Sequence, residues 1–300
     1  MFFDGTTRLY GDTKDPGFSH LEGASDDSID VLGFWRDNKI VGLAITVYCP
    51  SQQTEGLPAL SADFWHETRQ LLRELHSPGL FVLGLTGASG DQSPHIQIDK
   101  AAVADLLKRR QMTGRQMTAH RIAQAVDEVM EISRDSMRSE VRLEHRVEKI
   151  KLPVWKVSDE RLQQAAALYE KGKGHAEQLN SPDYINWRVS RTMLARYKLQ
   201  QTDAFYRPEI HALRLNNLAM ATNPFELFTD YGLRMKARSP ATQTSIVQIT
   251  ADCAGYLPTE RAVQGGGYSA RIDDGVVGPE GGRVLVEQTC RLLQALWPAR

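Results

Sequence analysis

Residues Leu80–His95 read LFVLGLTGASGDQSPH. The first seven, through Thr86, form an apolar strand pattern. Upstream lies a second apolar run, Ile40–Tyr48, which Pro50 stops. Between the two runs, Phe64, Trp65, Thr68, Leu71, Leu72 and Leu75 recur at the 3.6-residue helical period. Ser61 is placed to cap that helix, and Asp63 suits the positive end of its dipole. Ser77-Pro78-Gly79 ends it. Strand, helix and strand joined by short links predict a βαβ unit in a parallel or mixed sheet. Ile29–Trp35 precedes the first run across Arg36-Asp37-Asn38-Lys39, a hairpin signal with Asp37-Asn38 at the turn.

The remainder of the opening stretch, Gly87–His95, admits two readings. It is a tight turn with Gly87 and Gly90 at φ > 0 and with Asp91 or Ser93 capping the next segment. Alternatively, it places a serine hydroxyl, an acid and an imidazole at the carboxyl end of a strand, where α/β proteins collect ligands and catalytic groups.

Outward from this unit, Ala101–Ser133 is helical in pattern, Val141–Val154 extended, and 158–200 helical and strongly charged. Glu170-Lys171-Gly172-Lys173-Gly174-His175 lacks the phosphate-loop frame and follows a helix, so it reads as a solvated turn. Glu209–Leu215 and Leu218–Thr222 form a second hairpin around Asn216-Asn217. Asn223-Pro224-Phe225-Glu226 then opens a helix carrying Phe225, Phe228, Tyr231 and Met235 on one face. Thr244–Thr250 is a β-branched strand, a glycine-rich loop runs to Gly282, and a helix over Val284–Trp297 closes the chain. The fold class these elements predict is α/β, with mixed, layered sheets flanked by helices.

Composition narrows the function classes. Lys and Arg total 36 against 37 Asp and Glu, so no overall basic field exists to hold nucleic acid or an anionic membrane. No apolar run approaches the ~20 residues of a membrane span. The opening MFFDGTTRLYGDTKDPG has no secretory signal pattern, and it reads as irregular loop instead of the start of a domain. Cys49, Cys253 and Cys290 are too few and too scattered for a disulfide framework.

Three strand ends carry unusual polar groups: Cys49, Asp91-Ser93-His95 and Glu226. Tyr256 and Tyr268 lie in the loop after Thr244–Thr250. Each has a plain structural reading: a small buried thiol, a turn, a carboxylate at a helix dipole, core aromatics with hydrogen-bonded tips. Taken together, a hydroxyl, a thiol, a carboxylate and phenols could form one site.

The segments CPSQQTEG, SADFWHE, GDQSPH, NPFELFTDYGLRMKARSP and GYLPTERAVQGGGY occur in that order. Their combination resembles the neutral/alkaline non-lysosomal ceramidase family, and in particular its bacterial ceramidase-like members, from about Tyr10 to Trp297. The resemblance implies a zinc-dependent amide hydrolase that cleaves the N-acyl bond of a ceramide-like lipid. It makes Ser93 the catalytic serine, with His95 where the family has asparagine. It makes Glu226 and Tyr256 zinc ligands, and Tyr268, twelve residues after Tyr256, the phenol that contacts the scissile amide. Cys49-Pro50 stands where the family has a His-Pro zinc ligand; cysteine is also a sound zinc donor. The family's His-x-His segment has no counterpart in the chain, and neither does its C-terminal immunoglobulin-like domain. Residues 1–300 therefore read as one ceramidase-like catalytic domain, N-terminally incomplete, with a helical segment at about 101–200 inserted between the site motifs. Family members are often exported. The alternatives are a non-catalytic remnant that has lost its metal site, and a metal-free serine hydrolase with His95 as base.

Overall fold

The expected βαβ unit is present. In the computed structural model, which describes residues 1–173 and 181–297, β1 (Ile29–Arg36) and β2 (Lys39–Val47) pair antiparallel. Asp37 and Asn38 both take left-handed backbone, with φ 49° and 59°, which matches the turn to the strand twist. Helix α1 (Phe64–Leu75) crosses over to β3 (Phe81–Thr86), which runs parallel to β2 from Gly42 opposite Phe81 to Val47 opposite Thr86. The cap differs from expectation. Asp63, not Ser61, caps α1, accepting from Phe64 N at 2.7 Å, while Ser61 Oγ accepts from Asp63 N. The Asp63 carboxylate also accepts from the Thr54 amide and hydroxyl, so one residue caps the helix and anchors the preceding loop.

The expected helix over 101–133 is two, α2 (Lys100–Arg110) and α3 (Gly114–Ser133), broken where Gln111 turns left-handed and Thr113 begins a capping box with Gln116. Ile122, Val126 and Met130 of α3 pack with Phe64, Trp65 and Leu72 of α1 against Leu43, Ile45 and Val82 of the sheet. This is the first of two large cores.

The later elements are, in chain order, β4 (Leu143–Lys149), β5 (Leu152–Pro153), α4 (Asp159–Gly172), α5 (Pro182–Gln200), β6 (Phe205–Tyr206), β7 (Glu209–Leu215), β8 (Leu218–Thr222), β9 (Glu226–Leu227), α6 (Thr229–Arg238), β10 (Gln243–Val247), β11 (Tyr256–Leu257), α7 (Glu260–Gly265) and α8 (Pro279–Gln294). Most of them build the second core, while Ala165 of α4 and Met193 of α5 bury each other with Val157 in a small cluster of their own. A four-stranded sheet runs β10-β8-β7-β4, with β10 parallel to β8 and the other pairs antiparallel. Leu285, Leu292 and Leu293 of α8 pack with Ile210, Ala212 and Ile246. The architecture is thus mixed α/β, with layered sheets flanked by helices.

Three boundaries depart from the sequence reading. The helix expected from Asn223 begins at Thr229, because Glu226 and Leu227 pair with Tyr256 and Leu257 as the parallel strands β9 and β11. Phe225 and Phe228 are buried all the same. The strand expected to reach Thr250 ends at Val247, ahead of left-handed turns at Ile249 and Ala251. The last helix starts earlier, with Pro279 in its first turn. Of the glycine–lysine run, Gly174 and His175 lie outside the described residues, while Gly172 ends α4.

The two cores meet at the ends of β3 and β10. Gly87 bridges to Val247, and Gln248 N donates to Thr86 O at 3.1 Å. The positive φ expected at Gly87 and Gly90 is not found; among the described glycines it occurs at Gly5, Gly255 and Gly266. Gly87 answers a close approach instead, since a Cβ there would stand 2.2 Å from the Tyr48 ring.

Candidate active site

The loop after β3 is held from three sides. Gly90 N donates to Leu227 O at 2.8 Å, and a Cβ on Gly90 would lie 2.3 Å from the Glu226 carbonyl oxygen. Asp91 Oδ1 accepts from the Thr229 amide at 2.8 Å and its hydroxyl at 2.7 Å, capping α6. Buried Gln248 accepts through Oε1 from both Ser89 N (3.2 Å) and Leu227 N (3.1 Å). The serine loop and the Glu226 strand are thereby joined through backbone.

Ser93 ends this loop. Its Oγ accepts from His95 N at 3.1 Å and lies 3.0 Å from the Tyr10 hydroxyl. The His95 ring stands edge-on to Tyr10, and its Nε2 is 3.1 Å from Glu55 Oε1. The backbone of His95 contacts the serine, whereas its Nε2 is turned to Glu55. That geometry does not make the imidazole a base for Ser93.

Tyr256 sits on β11 opposite Glu226, its amide donating to Asp274 O at 2.9 Å. Gly255 before it takes φ 72°, and a Cβ there would crowd the Asp274 carbonyl at 2.4 Å. The Tyr256 and Tyr268 rings meet edge to face, centroids 5.7 Å apart. Burial, then hydrogen bonding with Tyr268 and Glu226, raises the Tyr256 pKa well above the ordinary phenol value. At neutral pH Tyr256 is therefore a protonated donor.

Tyr10, Asp91, Ser93, His95, Tyr256 and Tyr268 line one cleft of about 390 Å³. That volume falls within the range of small-molecule sites. Glu226, the strand partner of Tyr256, is not on the cleft wall. Cys49 is not on it either. Its thiol contacts the Pro50 carbonyl at 3.7 Å, and burial followed by the charge of Asp63 pushes its pKa up to about 11.

Zinc, which the resemblance implies, finds no complete ligand set among the described residues. No group of three or more His, Cys, Asp or Glu side chains there is placed to hold a metal ion. Glu226 and Tyr256 are neighbours in register, while Cys49 lies off the cleft wall and is not grouped with them.

Part of the cleft wall comes from the first twenty residues, read from sequence as irregular loop. Phe2 bridges to Phe18, Thr7 N donates to Gly265 O at 2.9 Å, and Tyr10 reaches the serine. Tyr10 and Gln248 carried no sequence signal, because their partners lie 83 and 159 residues away.

No protein-family model matches the chain, and no curated protein matches it. Solved structures do. The crystal structure of neutral ceramidase from Pseudomonas aeruginosa superposes with a TM-score of 0.59 at 14% identity, covering 89% of this chain and 46% of that one. A structure of ceramidase complexed with C2 gives 0.59 at 12% identity, covering 94% and 50%. The chain therefore has the neutral ceramidase fold and spans about half the length of these structures.

Proposed function

From the fold it shares with bacterial neutral ceramidases, we propose that this chain binds an N-acyl amide, ceramide-like in class, in the Ser93 cleft and takes part in its hydrolysis. The observation that supports this reading is the presence of Ser93, Tyr256 and Tyr268 on one cleft in that fold. Phe2, Phe18 and Leu21 on the same walls offer apolar surface to an acyl chain.

An amide resists attack until its carbonyl is polarised. Tyr268 lines the cleft and is half exposed, so its O–H can donate to the carbonyl oxygen as negative charge develops. Tyr256, kept protonated, supports it from behind. Ser93 Oγ adds to the carbonyl carbon, and the C–N bond then breaks. The serine proton leaves with the departing amine, and water releases the acyl group from Ser93. No step here is assigned to a metal.

The test is hydrolysis of a short-chain N-acyl sphingoid base and a simple N-acyl amino acid, each with added zinc and with chelator. Ser93→Ala should lower turnover at least ~100-fold with an unchanged melting temperature. Robust hydrolysis that survives both Ser93→Ala and chelation would falsify the mechanism. One observation favours a second reading, a binding module that does not turn over: among the described residues no titratable side chain other than the Tyr10 phenol touches Ser93 Oγ. Saturable binding of the same amides without product would select it.

A further inference from the structure

Away from the cleft, the four-stranded sheet carries a histidine pair. Ile210 and Ala212 of β7 face the core under α8, so His211, by the alternation of a strand, lies on the opposite face with Glu209 and Leu213. In register, His145 of edge strand β4 is opposite Leu213, which puts it on that same open face, one diagonal step from His211. The two imidazoles meet: His145 Nε2 is 2.9 Å from His211 Nδ1, with ring planes within 14°. The other nitrogen of His211, Nε2, is 3.2 Å from Glu209 Oε1.

We propose that His145 Nε2 and His211 Nδ1 form a binding site for a divalent first-row transition cation, with Glu209 as its outer-shell carboxylate. The tautomers agree with the chemistry. With the His211 proton on Nε2, the nitrogen beside the Glu209 carboxylate, the lone pair of Nδ1 is directed at His145. A carboxylate on the far ring nitrogen is the usual partner of a metal-bound histidine. In the metal-free protein one proton sits between the two nitrogens. In the bound form the cation takes that place, and His145 moves its N–H to Nδ1, so neither ring changes charge.

The distances suit the exchange. Two imidazole nitrogens on a tetrahedral cation at ~2.0–2.1 Å stand roughly 3.3 Å apart. The observed 2.9 Å opens to that value by small ring rotations, and His145 is exposed. Two imidazoles with water in the remaining positions select Cu²⁺ over Zn²⁺ and exclude Mg²⁺ or Ca²⁺, which prefer oxygen. The bound ion would pin edge strand β4 to β7. The site is independent of the Ser93 cleft, since none of its residues lines that cleft.

Cu²⁺ and, separately, Zn²⁺ are titrated into the full chain by calorimetry, with electron paramagnetic resonance on the Cu²⁺ form. One equivalent should bind with a two-nitrogen signature, and Zn²⁺ should raise the melting temperature. His211→Gln should abolish the two-nitrogen signature, and His145→Gln should weaken binding at least ~10-fold, while circular dichroism confirms that both variants are folded. Glu209→Gln should weaken it ~10-fold or more through the outer-shell contact. Glu226→Gln with Cys49→Ala should leave it unchanged. Absence of binding, or a signature and affinity that persist in the His145→Gln/His211→Gln double variant, overturns the proposal.

Discussion

Cys49 and Ser93 follow strands that lie side by side in one sheet, yet their side chains meet different surroundings. Ser93 opens on the cleft, whereas Cys49 turns toward Asp63 and stays a thiol, its pKa moved from 9 to about 11. Because the protonated thiol is the form favoured in the folded state, its stabilising contribution is complete below the ordinary value. It is lost as pH climbs through the raised one. At pH 8, brief alkylation should therefore modify exposed Cys253 first and leave Cys49 and buried Cys290 slow, read by peptide mass mapping. Equal rates for Cys49 and Cys253 would contradict this environment. At Tyr10, removal of one hydroxyl isolates one contact. Tyr10→Phe should lower kcat on the amide substrates by about tenfold with little change in KM. Because Tyr10 is exposed, stability should shift by no more than ~1 kcal/mol. A larger loss of stability than of turnover would assign Tyr10 to the fold alone.

At the scale of elements, the serine loop and β9 form one rigid unit, and two residues test that. A Cβ at Gly90 meets backbone, the Glu226 carbonyl at 2.3 Å, so no side-chain movement relieves it. Gly90→Ala should cost about 1–3 kcal/mol in urea unfolding and push the serine loop away from β9. Gln248 accepts from two buried amides through one oxygen. Gln248→Leu strands both donors and should cost at least ~2 kcal/mol, since each unsatisfied buried amide costs ~1–3. Gln248→Glu, which keeps the acceptor, should lose less. If Gln248→Leu unfolds at the wild-type urea midpoint, the joint between loop and strand is not holding the site.

For the whole molecule, the decisive region is the seam between the two cores. Asp30 of β1 is buried there, accepting from the Tyr48 hydroxyl at 2.5 Å and from Ser245 Oγ of β10 at 3.0 Å. Burial raises its pKa above 3.8, outweighing these bonds and the Lys236 charge. For an acid shifted upward, the folded state is favoured while the group is protonated, and that contribution fades as pH rises through the folded value. Asp30→Asn retains an acceptor oxygen and removes the titration. The stability of wild type relative to this variant should therefore decline between pH 4 and pH 7, measured by urea unfolding at each pH. A constant difference across that window would place Asp30 in a wetter setting than the structure shows.

What the chain determined by itself was whatever can be encoded locally. Leu43 and Ile45 alternate, Phe64, Trp65 and Leu72 recur at helical spacing, and Asp37-Asn38 suits only a tight turn. The hairpins, the βαβ unit and the mixed α/β class follow from neighbours within a few residues, and so were legible. The motifs around Ser93, Glu226, Tyr256 and Tyr268 were legible as motifs. Only the tertiary structure decided how they are arranged. β9 is a strand because a partner thirty residues along the chain pairs with it, which outweighed the helix pattern of Phe225 and Phe228. The same holds for Tyr10 against Ser93, Gln248 between two loops, His145 beside His211, and Cys49 off the cleft wall. These contacts have no period to read. They exist because packing two cores together brings distant backbone within hydrogen-bonding reach, and an amide buried at that seam must find its acceptor there.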